Sequence, residues 1–366
     1  MITRTLKTLA TMLVAANFVL ANPLEPSETI FDHLFRNDVL EFTLETDLAE
    51  LIENRRTEDY LPAVFTFKDA KGQEHIQEIK VKPRGKFRRR ICNFPPLMLN
   101  FSKGTLEKEG YIPEFDKLKL VTHCIDDKFE SKEQVMKEYL AYQLYREITG
   151  LSYRVQLAKV TYIDSKGSLS NIRRYGFVIE DTDEMARRLG GEECEDCRGL
   201  SSAELAQRAE NQMAVFQYMI GNTDWDLNMI RNVKMVKPRD GGAVIPVPYD
   251  FDFAGLVDAP YAIPNSDIGQ LTIRQRVFQG RKVSRQLLED TLRLFLAKKS
   301  ELMATVDGFR ELGRDTRRNI GKYLETFFRD AEEVLNGGQP QDPSLLQAIE
   351  ESPEEKPSGA NSSLGK

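Results

Sequence analysis

Residues 221–255 read GNTDWDLNMIRNVKMVKPRDGGAVIPVPYDFDFAG and place Asp224, Asp226, Asn228, Asn232, Asp250 and Asp252 among apolar residues and strand formers. Carboxylates and carboxamides offer hard oxygen atoms, the donors that Mg²⁺ prefers. Phosphoryl transfer asks a protein for little more than this. It needs a carboxylate near the nucleophile, Asn and Asp on the metal, and a Lys or Arg on the phosphates. The competing reading of the same residues is a solvated acidic turn. Arg239-Asp240-Gly241-Gly242 is a turn signature between two strand-like segments, NVKMV and AVIPVPY, and predicts a hairpin. Such a hairpin turns the chain back, so that Asn232 and Asp250 approach one another.

The elements around this stretch are legible from periodicity. AVFTFKD, HIQEIKVKPRG, PPLMLNF and DKLKLVTH alternate with period two and read as antiparallel strands, preceded by a lead-in strand and helix in 22–60. Ser131-Lys132-Glu133-Gln134 has the form of a capping box for a long helix that Gly150 ends. YRVQLAKVTYID and IRRYGFVIED form two more strands. A second strong helix, capped from Ser201 and ended by Gly221, feeds directly into the acidic stretch. Two helices, about 283–303 and 315–335, follow. From Gly337 the chain is polar and Pro-rich and is expected to be disordered.

Composition is that of a globular protein: 366 residues, 41% hydrophobic and 30% charged. A net charge of −6 gives no reason to expect nucleic-acid binding. The strongly basic run Lys80–Arg90 (KVKPRGKFRRR) is local; it is either a solvated face or a site for an acidic or phosphorylated substrate. Residues 1–21, with Arg4 and Lys7 before a short apolar run, have the form of a cleaved signal peptide. No later segment is apolar enough to span a membrane. The expected location is therefore exported, periplasmic or extracellular. Export allows disulfides, and of the three pairings open to four cysteines we favour Cys92 with Cys124 and Cys194 with Cys197. Trp225 is expected to pack under its loop, and His123 to be structural.

The order of motifs over roughly 80–262 resembles the CotH-like kinases, atypical relatives of the protein-kinase fold with more distant similarity to HipA-like and phosphoinositide kinases. The matching pieces are KPRG with PPLMLNF, DKLKLVTHCIDDKFESKEQVMKEYLAYQL, RYGFVIED, GNTDW…NV and VPYDFDFAG. The resemblance implies an α+β, bilobal protein-kinase-like fold, with a strand-rich N-terminal lobe at 22–181, a mostly helical C-terminal lobe at 182–336 and a tail at 337–366. It assigns Asp224 the catalytic role and the metal to Asn232 and Asp250, with Asp252 sharing and Asn228 the substitute for Asn232. Nucleotide, ATP with Mg²⁺ or Mn²⁺, would lie against Phe177, Ile179 and Glu180. Lys119, paired with Glu138, or else the basic Arg84 and Lys86 region, would take the phosphates, because Asn100 stands where the family's phosphate-binding Lys is expected. The implied activity is phosphoryl transfer to an unknown acceptor. The alternatives are a non-catalytic exported protein that binds a surface partner, and a metal-dependent phosphoester hydrolase.

Overall fold

The computed structural model describes residues 28–350, so the leader expectation and the last part of the tail lie outside the described residues. Ten strands are described: β1 (Leu40–Thr46), β2 (Leu61–Lys68), β3 (Glu74–Pro83), β4 (Leu97–Phe101), β5 (Lys117–Val121), β6 (Val155–Asp164), β7 (Ile172–Ile179), β8 (Gly191–Glu193), β9 (Val233–Pro238) and β10 (Ile245–Pro248). The α-helices are α1 (Ile30–Leu34), α2 (Leu48–Glu53), α3 (Arg88–Ile91), α4 (Lys103–Lys108), α5 (Lys128–Ile148), α6 (Thr182–Arg188), α7 (Gln207–Ile220), α8 (Arg285–Ala297), α9 (Lys299–Gly308) and α10 (Arg314–Leu335).

Strands β1 to β7 close into a barrel in the order β1-β2-β3-β4-β5-β7-β6, and β10-β9-β8 form a separate small sheet. Alternation decides what fills the barrel. Leu40, Phe42 and Leu44, Phe65 and Phe67, Leu97, Leu99 and Phe101, Leu118 and Leu120, and Val160, Tyr162 and Val178 form one buried cluster. Helices α1, α2 and α4 add Phe31, Leu48 and Leu106 to it. The opposite faces of β6 and β7 carry Val155, Leu157, Phe177 and Ile179 into a second cluster, shared with α5, α7, the small sheet and α8 to α10.

The expected bilobal, kinase-like α+β architecture is overturned by this closure. The segment read as a lead-in strand, β1, lies parallel beside β6 from Leu40↔Ala158 to Thr46↔Asp164. That pairing joins the two ends of what would have been an open sheet. Alternation along a strand states which face is buried but not which edge it meets, so the sequence pattern carries no sign of the closure. The second core also runs without a break from Phe177 and Ile179 to Leu292 and Phe327. No gap in packing falls at the expected lobe boundary at 181.

Smaller differences have local causes. Helix α5 begins at Lys128, a turn before the expected cap, because the Asp127 side chain accepts from Phe129 N and Glu130 N. Ser201 and Glu204 do bond to each other, but α7 starts at Gln207. The expected helix at 283–303 is two helices, broken at Lys298. Residues 343–348, expected to be disordered, form a 3₁₀ turn that buries Leu345 and Ala348. The cysteines pair as favoured, Cys92 with Cys124 and Cys194 with Cys197. No described helix is long and apolar enough to cross a membrane.

Candidate functional site

The site starts at the C-terminus of α7. Gly221 caps it with φ +68°, and a Cβ there would lie 2.1 Å from the Tyr323 hydroxyl. Only glycine combines that conformation with so close an approach. Asn222 and Asp224 follow at once. The Asn222 carbonyl accepts from the buried Trp225 indole, which packs beneath the loop as expected.

Asp226 and Arg231 then bond to each other through both backbone pairs and close a small loop. That loop absorbs the long spacing between Asp224 and Asn232. Asn232 Nδ2 donates to the Asp224 carbonyl (2.6 Å) and to its Oδ2 (3.0 Å). Arg231 Nε lies 3.4 Å from Asp224 Oδ1. Asn228, the substitute for Asn232, instead accepts from Arg281 and lies outside this contact set.

The hairpin of β9 and β10 returns the chain as anticipated. Val233 faces Pro248, and Tyr249 N donates to the Asn232 carbonyl (3.0 Å), which brings Asp250 to the same end of the small sheet. Asp250 N donates to the Tyr142 hydroxyl (2.8 Å). Phe251 is fully buried against Tyr142 and Phe216 and anchors the segment between the two aspartates. Asp252 is buried; its Oδ2 accepts from Arg88 Nε (2.8 Å) and from the Tyr261 hydroxyl (3.1 Å).

Arg88 is the residue that sequence reasoning missed. It is buried on α3, donates to Glu138 Oε2 (2.6 Å) as well as to Asp252, and lies 3.8 Å from Asp250 Oδ1. Nothing in KFRRR distinguishes it from Arg89 and Arg90. The Glu138 carboxylate therefore pairs with Arg88 and not with Lys119. Burial raises the pKa of Glu138 and Asp250, and the neighbouring Asp252 raises both further, while Arg88 opposes the shift. Burial also raises Asp224.

Lys119 stands on the outer face of β5. Its Nζ donates to the Thr182 hydroxyl (2.9 Å) and lies over the rings of Tyr153 and Tyr249. Burial lowers its pKa to about 7, and the nearby charges of Arg84 and Lys234 push the same way. Lys234 is paired with Glu193. Arg84 belongs to the basic run and is also in electrostatic range of Asp250. A cationic group of Arg84, Lys119 and Lys234 thus borders the acid and amide group.

The other expected nucleotide contacts lie deeper. Phe177 and Ile179 are buried in the second core. Glu180 is fully buried and bonded to Arg154 and Arg188, which hold the junction of β6, β7 and α6. Asn100 lines a cavity of about 720 Å³ on the barrel wall with Lys80, Lys103 and Asp116, and that lining includes none of the site residues. His123 is buried, stacks on Phe94 and is held neutral, its pKa lowered by burial to about 3.

The donor set fits a hard cation. Asp224, Asp250 and Asn232 Oδ1 are oxygen ligands of the kind Mg²⁺ and Mn²⁺ accept. Among the described residues, no three acidic or histidine ligand atoms at this site gather within 4.8 Å. An ion here would keep several waters and lean on substrate phosphates, as Mg²⁺ commonly does. Comparison with known proteins finds no matching family model and no matching curated protein.

Proposed function

We propose that this chain is an exported phosphotransferase that takes a Mg²⁺– or Mn²⁺–nucleotide, ATP, and passes a phosphoryl group to an acceptor. One observation carries the reading: an acid and amide group (Asp224, Asn232, Asp250) adjoins a cationic group (Arg84, Lys119, Lys234) at the end of the small sheet. Metal and phosphate need opposite charges side by side, and few structural roles do. The similarity of the motif order to the CotH-like kinases supports the same roles. It supports them through these residues and not through the overall architecture. Two disulfides, compatible with an oxidising compartment, support export.

In this reading Asp224 orients the acceptor hydroxyl and accepts its proton. Burial raises its pKa and with it the basicity of the carboxylate. Asn232 fixes Asp224 by two hydrogen bonds through Nδ2, which leaves its Oδ1 as the atom that would serve as a ligand. Asp250 and Asn232 would hold the cation, with Asp252 and Glu138 restrained behind them by Arg88. A bound divalent ion would neutralise charge on the transferring group. Lys119 and Arg84 take the nucleotide phosphates. Lys119, with a pKa near 7, gains its full charge when an anion arrives beside it.

One observation favours a second reading, a non-catalytic exported protein that binds a partner. Arg88 already bonds both Asp252 and Glu138, leaving fewer open acids than a two-metal site requires. The two readings separate by thermal shift with Mg²⁺ or Mn²⁺ and ATP, followed by turnover of γ-labelled ATP. Phosphoryl transfer predicts a metal-dependent shift. Asp224→Asn keeps that shift but loses turnover by about 10²-fold or more, while Asp250→Ala loses the shift itself. An unshifted wild-type protein, or normal turnover in both variants, refutes phosphoryl transfer.

A further inference from the structure

Two of the three histidines meet where α1 packs against β3, beside Phe67 and Tyr111 of the barrel core. His33 lies on α1 and His75 on β3, and Asp69 begins the turn between β2 and β3. One ligand atom from each of the three lies within 4.8 Å of the others. The rings sit 5.2 Å apart at 73°. Phe67 stacks on His75 and meets His33 edge-on, and Tyr111 packs on His33, so both imidazoles are held by aromatic neighbours.

The polar atoms are arranged with spare capacity. Asp69 Oδ1 accepts from Lys71 N (2.9 Å) and Gln73 N (2.8 Å), which fixes the carboxylate. Its Oδ2 faces His75 Nε2 at 3.3 Å. The Nδ1 of His33 lies 3.8 Å from Glu28, while its Nε2 is buried without any hydrogen-bond partner. A buried ring nitrogen left unpaired costs free energy unless something fills its lone pair. The side chains of His33, Asp69 and His75 are 19%, 13% and 22% exposed, enough for an ion to enter and bring water.

We propose that His33, Asp69 and His75 form a transition-metal site of the zinc class that ties α1 to the β2–β3 hairpin. Two imidazoles and one carboxylate are a ligand set for Zn²⁺ or a divalent neighbour, and a poor one for Mg²⁺. Bonds of about 2.0–2.2 Å place such ligand atoms roughly 3.3 Å apart. Asp69 Oδ2 and His75 Nε2 already stand at that spacing, 3.3 Å apart. Glu28 stands where a carboxylate fixes the orientation of a ligating imidazole, with water completing the shell.

The test uses the full chain without a polyhistidine tag, stripped with a chelator and titrated with Co²⁺, with Zn²⁺ as competitor. We expect one equivalent of Co²⁺ to give a visible d–d band that Zn²⁺ abolishes. Asp69→Asn keeps an oxygen to accept the two turn hydrogen bonds, so it removes the anionic ligand while leaving the turn intact. It and His75→Gln should weaken Co²⁺ binding by at least about 100-fold, because loss of even an outer partner costs 10–100-fold. Asp250→Asn should leave the band unchanged, which separates this site from the one on the small sheet. Absence of the band in the wild-type chain, or equal affinity in both ligand variants, overturns the proposal.

Discussion

Inside the barrel, Phe42, Phe65, Phe67 and Phe101 meet ring against ring and no charge intervenes. Outside it, Arg88, Glu138 and Asp252 are also buried, yet there ionisable groups bond one another. Backbone geometry separates the two regions as well. The four described non-glycine residues with positive φ are Ile230, Asn232, Asp250 and Asp258, all in the segment that carries the candidate site. Left-handed backbone costs free energy in L-residues and persists only where surrounding structure enforces it. The barrel follows the cheapest rules of packing. The site breaks them in one place and is held by its neighbours, as expected where side chains are positioned for chemistry.

Replacing Arg88 by Ala tests that contrast hardest. It leaves Glu138 and Asp252 buried without their cation, Asp252 keeping only the Tyr261 hydroxyl, and should cost about 3–5 kcal/mol at neutral pH in urea unfolding. Phe65→Ala in the barrel should cost a similar 3–5 kcal/mol through the cavity it leaves. The two differ in pH dependence. Glu138 has a folded pKa raised above its unfolded value, so above the unfolded value the native state binds more protons than the unfolded chain and stability falls as pH rises. Losing Arg88 raises that pKa further. The Arg88→Ala penalty should therefore grow as pH rises through about 8, where the wild-type Glu138 ionises, and the Phe65→Ala penalty should stay flat. Equal pH profiles would mean that the buried charges do not distinguish the regions.

The two disulfides give a smaller comparison. Cys92 and Cys124 enclose a long loop at the barrel, with 32 residues of separation, whereas Cys194 and Cys197 are 3 apart beside the small sheet. Loop-closure entropy then assigns about 4 kcal/mol to the first and about 2 kcal/mol to the second, read from paired Cys→Ser variants. The smallest effect has the opposite sign. Lys119 has a folded pKa near 7, below its unfolded value, so stability rises with pH between about 7 and the unfolded lysine pKa. Lys119→Met should stabilise the protein at pH 7 by about 1–3 kcal/mol, discounted from 1.36 kcal/mol per pKa unit because the side chain is partly exposed. The gain should fade at high pH, and ATP binding should be lost.

Much of the site could be read from residue types and local turns. Asp224, Asn232 and Asp250 come together because a glycine cap, a short closed loop and a two-stranded hairpin are all local devices with sequence signatures. Arg88 could not be read, since its partners Glu138 and Asp252 lie on distant elements and burial alone sets it apart from Arg89 and Arg90. The strands were legible for the same local reason, by alternation. Their closure was not, because the partner of β1 is β6, and no pattern within either segment names the other. Residues 343–348 looked disordered by composition, but Leu345 and Ala348 find a place in a core built by earlier helices.

The parallel contact of β1 with β6 also fixes a timetable. Leu40 meets Ala158, more than a hundred residues further along. A chain delivered N-terminus first carries β1 with one unpaired edge until almost half of its length has emerged. Such an edge can recruit another strand in the interval, and contacts so distant in sequence form slowly. Newly delivered copies should therefore be most vulnerable to mispairing before β6 arrives, and least once the ring is sealed.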